Sequence, residues 1–134
     1  MNLIAYGVYR SLNAKCQNLI VIDFPLDSPP GTGIVIDGKI YKGYRMYAGE
    51  LAHALDEGGI PRERQHVSEM SQEDFIRMDA ESVVMMGCIL DPGKIILISE
   101  RLDENTFAQI RLCSFRHAEY RSNRHIHKNR KENA

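Results

Sequence analysis

A chain of 134 residues has the length of one domain, and 43% apolar with 26% charged residues excludes a disordered chain. No window approaches the roughly 20 unbroken apolar residues of a spanning helix, and a formal net charge of −1 gives no global field for nucleic acid or anionic lipid. Cys16, Cys88 and Cys113 form no C-x-x-C pair and no closed disulfide framework, so each reads as a small buried hydrophobe in a reducing cytoplasm.

Leu3, Ile4, Val8 and Leu12 recur at helical spacing and predict an amphipathic helix over residues 3–12, with no signal-peptide pattern. The β-branched run Leu19-Ile20-Val21-Ile22-Asp23-Phe24 predicts a buried strand. Pro25, Pro29, Pro30, Gly31 and Gly33 predict a loop over 25–33. Asp37-Gly38 between Ile34-Val35-Ile36 and Ile40-Tyr41 is a hairpin signal, because tight turns need a positive φ. Residues 43–53 fit neither period, and 56–70 read as a mobile connection. Ser71-Gln72-Glu73-Asp74 resembles a capping box ahead of a helix to Leu90 that buries Phe75, Ile76, Val83, Met86 and Leu90. Asp91-Pro92-Gly93 ends that helix, and residues 94–99 form a second buried strand. Asp103 caps a last helix carrying Phe107, Ile110 and Leu112. Residues 115–134 hold Arg116, Arg121, Arg124, Lys128, Arg130 and Lys131 against Glu119 and Glu132, and read as a basic, flexible tail after a domain over 1–114.

One stretch carries more specific information. Gly31-Thr32-Gly33-Ile34-Val35-Ile36-Asp37-Gly38-Lys39-Ile40-Tyr41-Lys42-Gly43 is followed, after four residues, by Ala48-Gly49-Glu50-Leu51-Ala52-His53. This resembles the signature of the ROK family, the bacterial sugar kinases and sugar-responsive repressors, with Ala52 where that family usually has Gly. Asn2-Leu3-Ile4-Ala5 with Tyr9-Arg10 is similar to the helix after the family's E-N-D-x-N motif, and residues 89–98 resemble its later helix-to-strand segment. The resemblance implies an α/β fold: a partial actin-like ATPase domain of ribonuclease-H type, a mixed sheet with flanking helices. It also implies sugar contacts at Glu50 and His53, since a carboxylate accepts from adjacent hydroxyls and an imidazole donates or accepts. Gly31, Thr32 and Gly33 are the candidate phosphate-binding residues.

The departures from the family pattern shape the functional expectation. If Met1-Asn2 stands for the end of E-N-D-x-N, the catalytic Asp falls before residue 1, and the first lobe has no counterpart. Where the family carries a glycine-rich phosphate loop, this chain has Phe24-Pro25-Leu26-Asp27-Ser28-Pro29-Pro30, in which prolines remove donors and Asp27 repels an anion. The cysteines of the family's structural zinc site are absent after His53, and His125 and His127 read as surface residues, so no metal and no cofactor are expected. These features together imply a non-catalytic sugar-recognition fragment of a ROK-type transcriptional regulator. The alternatives are an ATP-dependent hexose kinase and a self-associating protein with no activity of its own. Homo-oligomerisation through Met46, Met85, Met86 and Phe107, no specific DNA binding by this chain, no membrane association and a cytoplasmic location complete the expectations.

Overall fold

A computed structural model describes residues 1–12, 15–51, 66–113 and 118–120. The elements in chain order are α1 (Asn2–Ser11), β1 (Leu19–Asp23), β2 (Gly31–Ile36), β3 (Lys39–Tyr41), a 3-10 turn (Val67–Glu69), α2 (Gln72–Leu90), β4 (Lys94–Ile98), α3 (Glu104–Cys113) and β5 (Ala118–Tyr120). They build one mixed sheet of order β3-β2-β1-β4-β5. β1 pairs antiparallel with β2 and parallel with β4, β2 pairs antiparallel with β3, and β4 pairs parallel with β5. The sheet is therefore flanked by helices, as the sequence implies.

Alternation along the strands divides the core between the two faces of the sheet. Leu19, Val21, Val35, Ile96 and Ile98 face α1 and pack on Ala5 and Val8. Ile20, Ile22, Phe24, Ile34, Ile95 and Leu97 share the opposite cluster with Phe75, Val83 and Met86 of α2 and Ile110 of α3. The central strands are covered on both faces, which explains why β1 and β4 are unbroken apolar runs.

The hairpin forms as expected, with Asp37 and Gly38 both left-handed at φ 51° and 73°. The Ser71 hydroxyl accepts the Asp74 N–H at 3.1 Å and starts α2, which ends on a left-handed Asp91 ahead of Pro92. Asp103 Oδ1 accepts the Thr106 N–H at 2.7 Å at the start of α3.

Several expectations need correction. Leu3 and Ile4 are exposed, and the buried residues of α1 are Ala5 and Val8. The small Ala5 lies against Gly33, so the helix sits close to the sheet and turns Leu3 to solvent. Residues 31–33 belong to β2 and not to the preceding loop. Phe75, Val83 and Met86 are buried as expected, whereas Ile76 and Leu90 are half-buried. Leu112 is exposed on the outer side of α3. The cysteines are not buried hydrophobes: Cys16 is half-buried, and Cys88 and Cys113 lie exposed on α2 and α3. Of the four residues expected to remain partly exposed, Met46 is exposed, Met85 and Phe107 are half-buried, and Met86 is buried. Within the segment read as a tail, Ala118–Tyr120 extends the sheet as β5. Among the described residues, no helix is long and apolar enough to cross a membrane.

Candidate functional site at the carboxyl end of the parallel strands

β1 and β4 run parallel, and β3 points the same way because it is antiparallel to β2. The segments that leave their carboxyl ends, 24–30, 42–51 and 99–103, therefore gather at one end of the sheet. Open α/β sheets present ligands at that end, where loops converge and side chains are not consumed by the sheet core. The opposite end is closed by Asn18, whose side chain accepts the Asp37 N–H at 2.9 Å and whose carbonyl accepts the Gly93 N–H at 2.9 Å.

The first segment is held down through its backbone. The Phe24 N–H donates to the Ile98 carbonyl at 2.8 Å, and the Phe24 carbonyl accepts from the buried Ser99 hydroxyl at 2.8 Å. Pro25, Pro29 and Pro30 have no N–H. Only Leu26, Asp27 and Ser28 retain N–H groups that could turn outward, and Asp27 adds a negative charge. The Ser68 N–H donates to the Leu26 carbonyl at 3.0 Å, and its hydroxyl donates to Asp27 Oδ1 at 3.0 Å. Arg101 fixes Ser68 in turn: its guanidinium donates to the carbonyls of Val67 at 2.6 Å and Met70 at 2.8 Å and lies 4.7 Å from the centre of the Phe75 ring. The segment is thus a strapped turn.

The second segment has a different construction. Gly49 is left-handed at φ 84°, and a Cβ there would stand 2.8 Å from the Thr32 carbonyl oxygen. Only glycine meets both constraints. Met46 is also left-handed at φ 63°, a conformation that costs a residue with a Cβ about 1–2 kcal/mol. The Ala48 N–H donates to the Lys42 carbonyl at 3.2 Å, and the buried Leu51 and half-buried Ala48 anchor the segment to the core. Glu50 stands exposed between these anchors.

The residues singled out from sequence fall in three places. Glu50 lies on the second segment. His53 lies outside the described residues, as do His125 and His127. Gly31, Thr32 and Gly33 lie in β2 beneath that segment. A Cβ on Gly31 would collide with the Met1 side chain and one on Gly33 with Ala5, so both glycines have a packing role against α1. The Thr32 hydroxyl is buried and makes no hydrogen bond among the described residues.

Sequence reasoning missed Asp23, at the carboxyl end of β1. Burial pushes its carboxyl above the ordinary range, partly offset by the Met1 ammonium. It also missed Arg101 and Ser68, whose partners are far away in sequence and carry no local motif. Among the described residues no cluster of His, Cys, Asp and Glu could hold a metal.

No family model matches the sequence, and a search of curated proteins finds no significant match. Solved structures do match. A ROK family glucokinase from Streptomyces griseus, in complex with glucose and AMPPNP, superposes with a TM-score of 0.65 at 17% identity, over 90% of this chain and 60% of that one. A ROK family protein from Streptococcus pneumoniae in complex with sucrose gives 0.60 at 12% identity, over 84% and 51%. A ROK hexokinase from Thermus thermophilus gives 0.59 at 13% identity, over 81% and 52%. The chain spans between half and two thirds of the length of these proteins. Its fold is that of part of a ROK domain, a mixed sheet with flanking helices of the actin-like ATPase type.

Proposed function

We propose that this chain is a sugar-recognition module of the kind found in ROK-type transcriptional regulators, without kinase chemistry of its own. The observation that carries this reading is the contrast at the carboxyl end of the sheet. Segment 24–30 offers few N–H donors and a carboxylate where a nucleotide phosphate would need bare backbone donors, while segment 42–51 holds Glu50 exposed on a fixed frame. The similar structures that hold glucose and sucrose support a sugar as the ligand. In this reading Glu50 accepts from sugar hydroxyls, His53 adds a donor, and the module works in the cytoplasm. The expected phosphate role of Gly31, Thr32 and Gly33 is not needed for it.

The test separates binding from turnover. The full chain is incubated with ATP and a panel of glucose, mannose and N-acetylmannosamine, and sugar phosphate and heat of binding are both measured. Sugar binding without sugar phosphate is the expected result. Phosphorylation that Glu50→Ala abolishes would establish the kinase reading in its place.

Self-association is a second reading, favoured by Ile89 on α2 and Leu112 on α3, two helices on the same side of the sheet, which are 70% and 87% exposed. Burying such residues between copies contributes about 25 cal/mol per Å² before association entropy is subtracted. Light scattering at micromolar concentration is expected to give at least a dimer, and a monomer mass with a concentration-independent melt would contradict it.

A further inference from the structure

Segment 42–51 exposes more than Glu50. Tyr44 and Tyr47 are 98% and 68% exposed within four positions of each other, on a backbone that Met46 and Gly49 hold in left-handed conformations. Exposed aromatic rings on a freely moving loop would be unremarkable surface. Here the far end of the loop is held by the buried Leu51 and the close contact of Gly49 with Thr32, and the Ala48 N–H donates back to the Lys42 carbonyl beside β3, so the backbone that carries the rings is fixed at both ends.

We infer that Tyr44 and Tyr47 form a stacking platform for the ring face of a pyranose, with Glu50 accepting hydroxyls at the rim. This deepens the proposed function and rests on it. A pyranose in its chair form has an apolar face of axial C–H groups and a polar edge of hydroxyls. Tyrosine matches both, with an apolar ring and a polar tip, and loses little conformational freedom on binding. A carboxylate close in sequence supplies the acceptor for the edge. The ligand class is therefore a cyclic sugar with an unsubstituted ring face, distinguished from an open-chain polyol that carries similar hydroxyls and no such face.

The protein contains no Trp and six Tyr, so the part of a tyrosine-emission change that is lost in the Tyr44 and Tyr47 variants reports on the platform. The full chain is titrated with D-glucose, sucrose, N-acetyl-D-mannosamine and D-sorbitol, following tyrosine emission and heat. A saturable response to a cyclic sugar and a much weaker one to sorbitol are expected. The double variant Tyr44→Ala with Tyr47→Ala should weaken binding about tenfold, and the corresponding Phe pair should restore most of it. Because both side chains are exposed, the thermal melt of these variants should match the parent. Binding weakened by Glu50→Gln but unchanged in the tyrosine double variant would overturn the platform and leave the proposed function intact. No saturable binding of any cyclic sugar in the panel would overturn both.

Discussion

Two segments, 24–30 and 42–51, leave β1 and β3 at the same end of the sheet, with β2 between those strands, and they solve the problem of loop structure in opposite ways. The first removes donors with prolines and is strapped by Ser68 and Arg101 from outside. The second uses left-handed residues and two apolar anchors from within, and leaves its polar and aromatic side chains facing solvent. A loop that carries three prolines and a carboxylate offers an anion few N–H donors, whereas a loop fixed through its apolar residues can hold a polar side chain such as Glu50 at the surface. The comparison shows why the proposed sugar site on the second segment does not depend on an anion site on the first.

The largest effect should come from removing an anchor. Leu51→Ala leaves a cavity in the core and should destabilise the protein by about 2–5 kcal/mol, with loss of sugar binding at temperatures where the fold persists. Urea titration and calorimetry check it, and an unchanged midpoint would show that the second segment is held by something other than its anchors. Gly49→Ala tests the close approach to Thr32. Strain at positive φ and overpacking should cost about 1–3 kcal/mol, read from the same urea midpoints.

The strap of the first segment should matter less. Ser68→Ala removes the hydroxyl bond to Asp27 and should cost about 0.5–1.5 kcal/mol. Sugar binding should be unaffected, since the second segment does not depend on that bond, and a comparable loss of sugar affinity would couple the two segments. Amide exchange at Leu26 and Asp27 should rise in the variant.

The smallest effect is electrostatic and concerns the residue that leads into the first segment. Asp23 holds its proton more tightly in the folded chain than in the unfolded one, mainly through burial. Its contribution to stability is therefore full below the unfolded pKa of about 3.9 and is lost as pH rises through the raised folded value. Asp23→Asn should match the parent in acid and melt at a slightly higher temperature at neutral pH. A larger gain in acid than at neutrality would reverse the sign and contradict the assignment. Asp103 has the opposite sign, because hydrogen bonds from Thr106 hold its carboxyl below the ordinary range. Its contribution is present above the unfolded pKa and disappears as pH falls through the folded value.

The sequence by itself determined the elements whose causes are local. Ser71 and Asp103 cap helices through bonds to residues three positions on, Asp37-Gly38 turns through its own dihedral angles, and the runs at 19–24 and 94–99 announce strands buried on both faces. It also marked Glu50 through the spacing of Ala48-Gly49-Glu50 after the hairpin. Tertiary structure decided what depends on distant partners. Gly31 and Gly33 read as loop residues until α1 is seen lying against β2, where a Cβ would not fit. Asp79 sits fully buried on the inner face of α2, which apolar spacing does not mark. Leu3 and Leu112 match the helical period and yet face solvent, because the face a helix buries is chosen by what it packs against. Ser68 and Arg101 follow the same reason: a hydrogen bond across 41 or 34 residues leaves no periodic trace, since only the folded chain brings its two ends together.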